Sequence, residues 1–479
     1  MIKKILSLLI ATLILVSVVG CGNSEVKKGI ITAPESFYAY TFDRFGDEVM
    51  PIGGYIGPTS GFGYKGNYMP SQITDYHYQL VKECGLNFII GMRPDYKVQT
   101  QDVIDALTYA DKNDVMYFVY DTYLYEVNDD NAANPDRYVY VSIDAFKERV
   151  KAYSRYNSFA GLVCRDEPWA NMFEQIKKIN YYFDETFENN KLLYLNSNSM
   201  QCPDGWFGSG EAKTYKPDMT LEEYMTEWFE SFPTLGYYSY DTYPFTTHNS
   251  DYIRTDIFKN YSLVRRYCEK YKVPFWTFMQ AGGDWGGTDS NWRVTDESEI
   301  WWQVSSALAF GAKGYTWFPY NTPPENIGSP EGSDGLIGRG GQKTEQWYYV
   351  KNVNEQTRAC DHILMKSVYK GMIRNLSGKE DSTNALVLPD IETAELNGKF
   401  REVVSISGDN SVTGCFTYFG KTVLYVVNNS ISLDKANIKV SFDGKYEFEV
   451  IQRAKSQTMT GNGVELTFAP GEGALIAIH

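Results

Sequence analysis

Eight apolar runs of strand length alternate along this chain with amphipathic stretches of helix length, and that alternation limits the fold more than any other feature. The runs are 49–56, 86–92, 115–123, 159–164, 191–196, 235–240, 273–279 and 314–319. Between them the periodicity predicts helices over 73–84, 103–112, 143–156, 173–187, 221–232, 257–271 and 297–310, with a last one over 345–364. Strands that alternate with helices belong to βα units around a parallel sheet, and eight such units close a (β/α)8 TIM barrel of the α/β class. An open doubly wound sheet needs fewer strands and a glycine-rich phosphate turn after the first of them. Gly53-Gly54 and the pair Gly61 and Gly63 lack that spacing and read as loop glycines.

Beyond the last helix the texture changes. From about residue 384 the chain reads as short strands, 422–427, 437–442 and 446–451, parted by the turn signals Asp443-Gly444 and Gly461-Asn462-Gly463. A closing apolar run over 473–478 completes the signature of a C-terminal antiparallel β-sandwich. At the other end, Lys3 and Lys4 precede an apolar run over 5–19, and Val18-Val19-Gly20-Cys21 follows, the pattern of a bacterial lipoprotein signal. The expected organisation is a signal peptide over 1–21 with lipidated Cys21, a tether leading into the barrel over 22–44, a barrel over 45–370 and a β-sandwich over 380–479. Acyl chains on Cys21 would hold the protein on the outer side of a bacterial membrane. No later run is apolar enough to span a bilayer.

A formal charge of −15, with no basic stripe, excludes a nucleic-acid partner, which would need clustered Lys and Arg against its phosphates. With Cys21 given to the lipid, Cys84, Cys164, Cys202, Cys268, Cys360 and Cys415 remain at wide spacings and read as core residues rather than disulfides. No Cys-x-x-Cys pair occurs, and His77, His248, His362 and His479 are the only histidines. That leaves little material for a metal site or a Ser-His triad, so no metal and no cofactor are expected. Any catalysis falls to carboxylates.

The carboxylate best placed for it is Glu167, in Arg165-Asp166-Glu167-Pro168 at the C-terminal end of the fourth strand. In a barrel that edge is where chemistry sits, and an acid there is what protonates the oxygen of a departing sugar. Such work requires a raised pKa, supplied by burial or a nearby carboxylate. Asp166 would point the other way if the strand continued, so it binds or tunes. For the second carboxylate Asp241, in Tyr240-Asp241-Thr242-Tyr243 after the sixth strand, has the best position, with Asp121 and Asp284 as alternatives. A gap of about 5 Å between the two carboxyls would mean a retaining route, and about 6.5 to 9.5 Å an inverting one. Tyr55, Tyr123, Trp169, Tyr243, Trp276, Trp285, Trp317 and Tyr320 fall at strand ends, where rings stack on sugar C–H faces; Trp169, Trp285 and Trp317 are the foremost candidates. Arg93, Asn196 and Asn198 suit hydroxyl or carboxylate contacts.

Several segments together resemble the (β/α)8 glycoside hydrolases of clan A, most closely in texture the family 42 type. They are Arg165-Asp166-Glu167-Pro168, Pro274-Phe275-Trp276 with Gln280, Ala309-Phe310-Gly311-Ala312-Lys313-Gly314-Tyr315-Thr316-Trp317-Phe318, and Asp334-Gly335 with the stretch 348–354. The resemblance spans 49–364 and implies that Glu167 is the acid/base. It also exposes two departures: Asp166 stands where that clan has the Asn that contacts the sugar 2-hydroxyl, and Gln280 stands where it has a nucleophilic Glu. A neutral amide cannot form a glycosyl-enzyme ester. The expectation is a surface-anchored glycosidase cleaving O-glycosidic bonds of a poly- or oligosaccharide. Glu167 and Asp241 are its catalytic pair, and Asp166, Arg93, Asp121, Tyr123, Trp169, Asn196, Tyr243, Gln280, Trp285 and Trp317 bind the sugar. The alternative, which Gln280 favours, is a non-catalytic glycan-binding lipoprotein on the same barrel; a purely structural or adhesive surface protein is a third reading.

Overall fold

The computed structural model describes residues 25–64, 67–91, 100–125, 127, 141–187, 191–198, 202–245, 257–283, 292–322, 335–375, 396–432 and 435–479. Cys21, Arg93, Asp284 and Trp285 lie outside them.

All eight expected barrel strands form: β1 (Ile52–Gly54), β2 (Phe88–Ile90), β3 (Met116–Val119), β4 (Phe159–Asp166), β5 (Leu192–Asn196), β6 (Tyr238–Tyr240), β7 (Phe275–Gln280) and β8 (Tyr315–Phe318). Every pairing among them is parallel, in the order β5-β4-β3-β2-β1-β8-β7-β6, and a bridge between Ser197 and Tyr240 closes the ring. The helices between are α1 (Asp75–Glu83), α2 (Thr100–Lys112), α3 (Ile143–Ser154), α4 (Phe173–Asp184), α5 (Leu221–Ser231), α6 (Ile257–Tyr271), α7 (Glu297–Ala309) and α8 (Glu345–Leu364). Reciprocal capping boxes, Thr220 with Glu223 and Asp296 with Glu299, fix where α5 and α7 begin.

Aromatic rings fill the barrel. Phe88, Phe118, Tyr194, Tyr237 and Trp276 pack ring to ring inside it, and Phe42, arriving on the segment before β1, packs at a tilt against Phe88 and Phe118. Gly53 and Gly54 are strand residues, not loop glycines. A Cβ on Gly53 would lie 2.1 Å from the Phe88 ring, so the aromatic filling requires glycine there.

The C-terminal unit consists of β9 (Ser367–Asn375), β10 (Val403–Gly408), β11 (Ser411–Tyr418), β12 (Lys421–Asn428), β13 (Ala436–Gln452), β14 (Lys455–Phe468) and β15 (Gly473–Ile478). They form one antiparallel sheet, β9-β11-β12-β15-β13-β10 with β14 on β13, folded around its own core of Val403, Leu424, Ile438, Phe448 and Ile476. The sheet thus begins at Ser367, ahead of the expected boundary. Asp443-Gly444 and Gly461-Asn462-Gly463 are not turns: β13 and β14 continue through them, with a register shift between Ser441 and Tyr446. There β13 bends, pairing first with β10 and then with β15. The hairpin turn lies at Arg453-Ala454, both with positive φ (52° and 56°), as the twist of a two-residue hairpin demands.

The two units are bonded together. Trp302 in α7 donates to Asn429 (3.1 Å), and Gln356 in α8 donates to the Ile451 carbonyl (3.1 Å) and accepts from the Ala454 amide (2.7 Å). Among the described residues the six cysteines form no disulfide with one another, and all but Cys202 are buried, as the core reading expects.

Candidate active site

At the C-terminal ends of β4, β5 and β6 three carboxyl groups converge. The convergence starts from β4, whose register against β5 slips between Val163 and Arg165 and ends with Asp166 beside Asn196. Glu167 then takes a left-handed φ of 45°, with its amide donating to the Asn196 carbonyl (2.8 Å). Pro168 follows, its carbonyl held by the Tyr224 hydroxyl (2.7 Å) and the Asn198 amide (3.1 Å). Because the extended backbone stops at Asp166, the alternation of sides stops with it, and Glu167 does not point away from Asp166 as a continuing strand would require.

Asp166 is gripped at both oxygens. The Tyr55 hydroxyl donates to Oδ2 (2.8 Å) and Asn196 Nδ2 to Oδ1 (3.1 Å), while Asn196 is oriented by the Ser239 hydroxyl (2.9 Å). Glu167 and Asp241 hydrogen-bond to each other through their carboxyls. Glu167 is exposed at the mouth, and the protein around it takes part of its carboxylate's hydration. That loss of hydration first, then repulsion from Asp166, raises its pKa to about 7, against smaller lowering effects from the Asp241 bond and Arg165. Asp241 is raised well above the ordinary aspartic range, first by loss of hydration and then by repulsion from Glu167 and Asp166. Two carboxyls in contact cannot both ionise freely, so the pair shares a proton, with Asp241 as the donor to Glu167.

An aromatic wall stands beside the cluster. Tyr243 is buried against Trp292 (ring centroids 4.5 Å apart) and Phe318 (5.4 Å), and its phenol feels the charges of all three carboxyls. Tyr55 packs on Phe278 and Phe318. Two residues past Glu167, half-buried Trp169 meets Trp206 edge to face at 6.2 Å.

Glu167, Asp241, Asp166, Asn196, Tyr243 and Trp169 are therefore gathered around one mouth, and four other expected contacts have different employment. Gln280 is fully buried, its amide spent on the backbone of Phe245 (3.0 and 2.9 Å) and the Arg293 carbonyl (2.7 Å), where it clasps the rim segments after β6 and β7. Asp121 is buried and binds the half-buried Arg149 guanidinium (2.5 and 3.0 Å) and the Tyr153 hydroxyl (2.6 Å), partners that satisfy it structurally. Tyr123 lies over that same guanidinium, 4.7 Å from ring centre to Arg149. Trp317 is wholly buried, with its indole N–H on Asn354 (3.3 Å), and is a core residue. The roles of Tyr224 and of Trp206 and Trp292 escaped the sequence reading. Tyr224 lies in the first turn of α5, and the two Trp lie outside the strand ends, so only contact reveals them. A cleft of about 770 Å³ elsewhere, on α5 between Lys216 and Glu230, shares no residue with the cluster.

Among the described residues no group of His, Cys, Asp and Glu is arranged to hold a metal ion.

No protein-family model matches the chain, and no curated protein sequence does. Solved structures with a similar fold include a glycoside hydrolase family 5 protein from Bacteroides vulgatus ATCC 8482, at 11% identity over 90% of this chain and 89% of that one, with a TM-score of 0.49. Another is the GH30 endoxylanase of Clostridium papyrosolvens C71, at 9% identity over 94% and 98% of the two chains, with a TM-score of 0.42. A third is the β-galactosidase of the psychrophilic Marinomonas ef1, at 10% identity over 68% of this chain and 63% of that one, with a TM-score of 0.46. Likenesses this distant assign no activity.

Proposed function

We propose that this protein is a glycoside hydrolase that cleaves an O-glycosidic bond of an oligo- or polysaccharide, with Glu167 as the proton donor. The observation that carries the reading is the convergence of Asp166, Glu167 and Asp241 where β4 and β6 end at the barrel mouth. As the C–O bond breaks, Glu167 gives its proton to the departing oxygen, and water adds to the anomeric carbon and returns a proton to the Glu167 carboxylate. Asp241 keeps its own proton and lends a hydrogen bond to Glu167, so it stands beside the acid as a neutral partner rather than as a nucleophile or base. Asp166, fixed by Tyr55 and Asn196, supplies negative charge toward the oxocarbenium-like transition state. Tyr243 and Trp169 offer faces for sugar rings. A family 42-type specificity and attachment through a lipid on Cys21, outside the cytoplasm, belong to the same proposal.

The test is a panel of aryl glycosides and host or plant glycans offered to the chain from Gly22 onward, beside Glu167→Gln. Turnover by the parent that falls roughly 10²- to 10⁴-fold in the variant is the expected result. Binding without turnover in both would favour the second reading, a glycan-binding lipoprotein, to which the structural employment of Gln280 lends weight.

A further inference from the structure

The start of the described chain is stitched to one end of the C-terminal sheet. Lys27 donates its amide to the Lys445 carbonyl (2.7 Å), Gly29 to His479 (2.9 Å) and Thr32 to Gly420 (3.0 Å). Arg401 binds the carbonyls of both Ile30 (2.6 Å) and Gly420 (2.9 Å), and the Ile30 amide meets the Glu402 carboxylate. Helix α7 tells which end this is, because it starts at the mouth, after β7, and runs back to the barrel floor. Gly471 lies against Ser298 and Trp302 near the start of α7, while Gly414 lies against Ala309 at its finish. From Gly414, β11 continues to Tyr418 and the Phe419-Gly420 turn, still further from the mouth. The stitched end is therefore on the floor side, and the chain proceeds from it through Glu35, paired with Lys370, to the Phe42 ring among the barrel aromatics.

This floor-side end also exposes apolar side chains: Val26 (50% accessible), Ile30 (45%), Ile31 (64%) and Phe419 (50%). Only five residues separate Cys21 from the first stitch at Lys27, a reach of roughly 20 Å at full extension over the six steps.

We propose that the floor-side end of the C-terminal domain faces the lipid surface to which Cys21 is attached, with Val26, Ile30, Ile31 and Phe419 against the headgroup region, so that the barrel mouth points away from the membrane. The inference rests on the lipidation of Cys21 and is independent of the chemistry at Glu167. A tether so short, leaving from a fixed point, holds that end down, and the exposed apolar residues gain by partial burial in the interface. The site then faces outward, where long glycans can reach it.

The test reconstitutes the full lipidated protein, taken from bacterial membranes, into phosphatidylcholine vesicles containing a nitroxide headgroup lipid. A fluorophore is placed at Phe419→Cys or, at the mouth, Tyr123→Cys, with unsubstituted protein as the labelling background; Ile31→Cys replaces Phe419→Cys if that variant does not fold. Quenching several-fold stronger at position 419 or 31 than at 123 is expected. Equal quenching, or stronger quenching at 123, overturns the orientation. Parent protein without an acyl group, or Cys21→Ala that stays on the vesicles as well as the parent, overturns the anchor on which it rests. Glycan turnover by the chain from Gly22 onward is unaffected by any of these outcomes, so failure here is distinct from failure of the glycosidase reading.

Discussion

Glu167 leaves β4 at a φ of 45°, a region that side chains other than glycine enter only when the surroundings hold them there. Its amide bond to Asn196 and the two bonds on the Pro168 carbonyl supply the hold, and the result is that two consecutive carboxyls serve one cluster. The sequence shows which residues stand at the end of the fourth strand, but not this turn, because the strand's alternation is legible and its exit angle is not. A consequence can be measured. Asp166 is the main charged neighbour raising Glu167, so Asp166→Asn lowers the Glu167 pKa. Since Glu167 acts as an acid, activity falls as the pH rises through its pKa, and the alkaline limb of kcat/KM, centred near 7 in the parent, moves to lower pH in the variant. An unmoved limb would assign that limb to another group.

At the scale of elements, the barrel strands and their helices could be read from the chain because each is a complete apolar run with its own period, and every expected strand forms. Motifs with two physical uses are not decided by the sequence. Asp443-Gly444 fits a tight turn and equally a bulge, and only the pairing of β13 with β14 decides between them. Gln280 is a similar case. Its place at the end of β7 suggests a sugar contact, while its contacts make it the clasp of two rim segments, a role that depends on where Phe245 and Arg293 arrive from elsewhere in the chain. Gln280→Glu therefore restores no nucleophile. It sets a buried carboxylate against two carbonyl oxygens, and is expected to lose about 2 to 4 kcal/mol in denaturant unfolding with no gain in turnover.

Across the whole molecule, the aromatic filling and the bonds between units make barrel and sheet one body. Phe42 is buried against Tyr40, Phe45, Phe88 and Phe118, so Phe42→Ala is expected to cost about 3 to 5 kcal/mol and to lower the melting temperature of both units together. Two separate calorimetric transitions would show that the Trp302–Asn429 and Gln356–Ile451 links do not couple them. The same body brings β4 and β6 together at the mouth, and the proton shared between Glu167 and Asp241 is the claim on which the functional account turns. It is tested most directly, and without any substrate, by an infrared difference titration of the protonated carboxyl band in the parent and in Glu167→Gln. The account predicts a carboxyl that loses its proton near pH 7 in the parent and is missing from the variant. A Glu167 that ionises near 4.5, like a free glutamate, would contradict it.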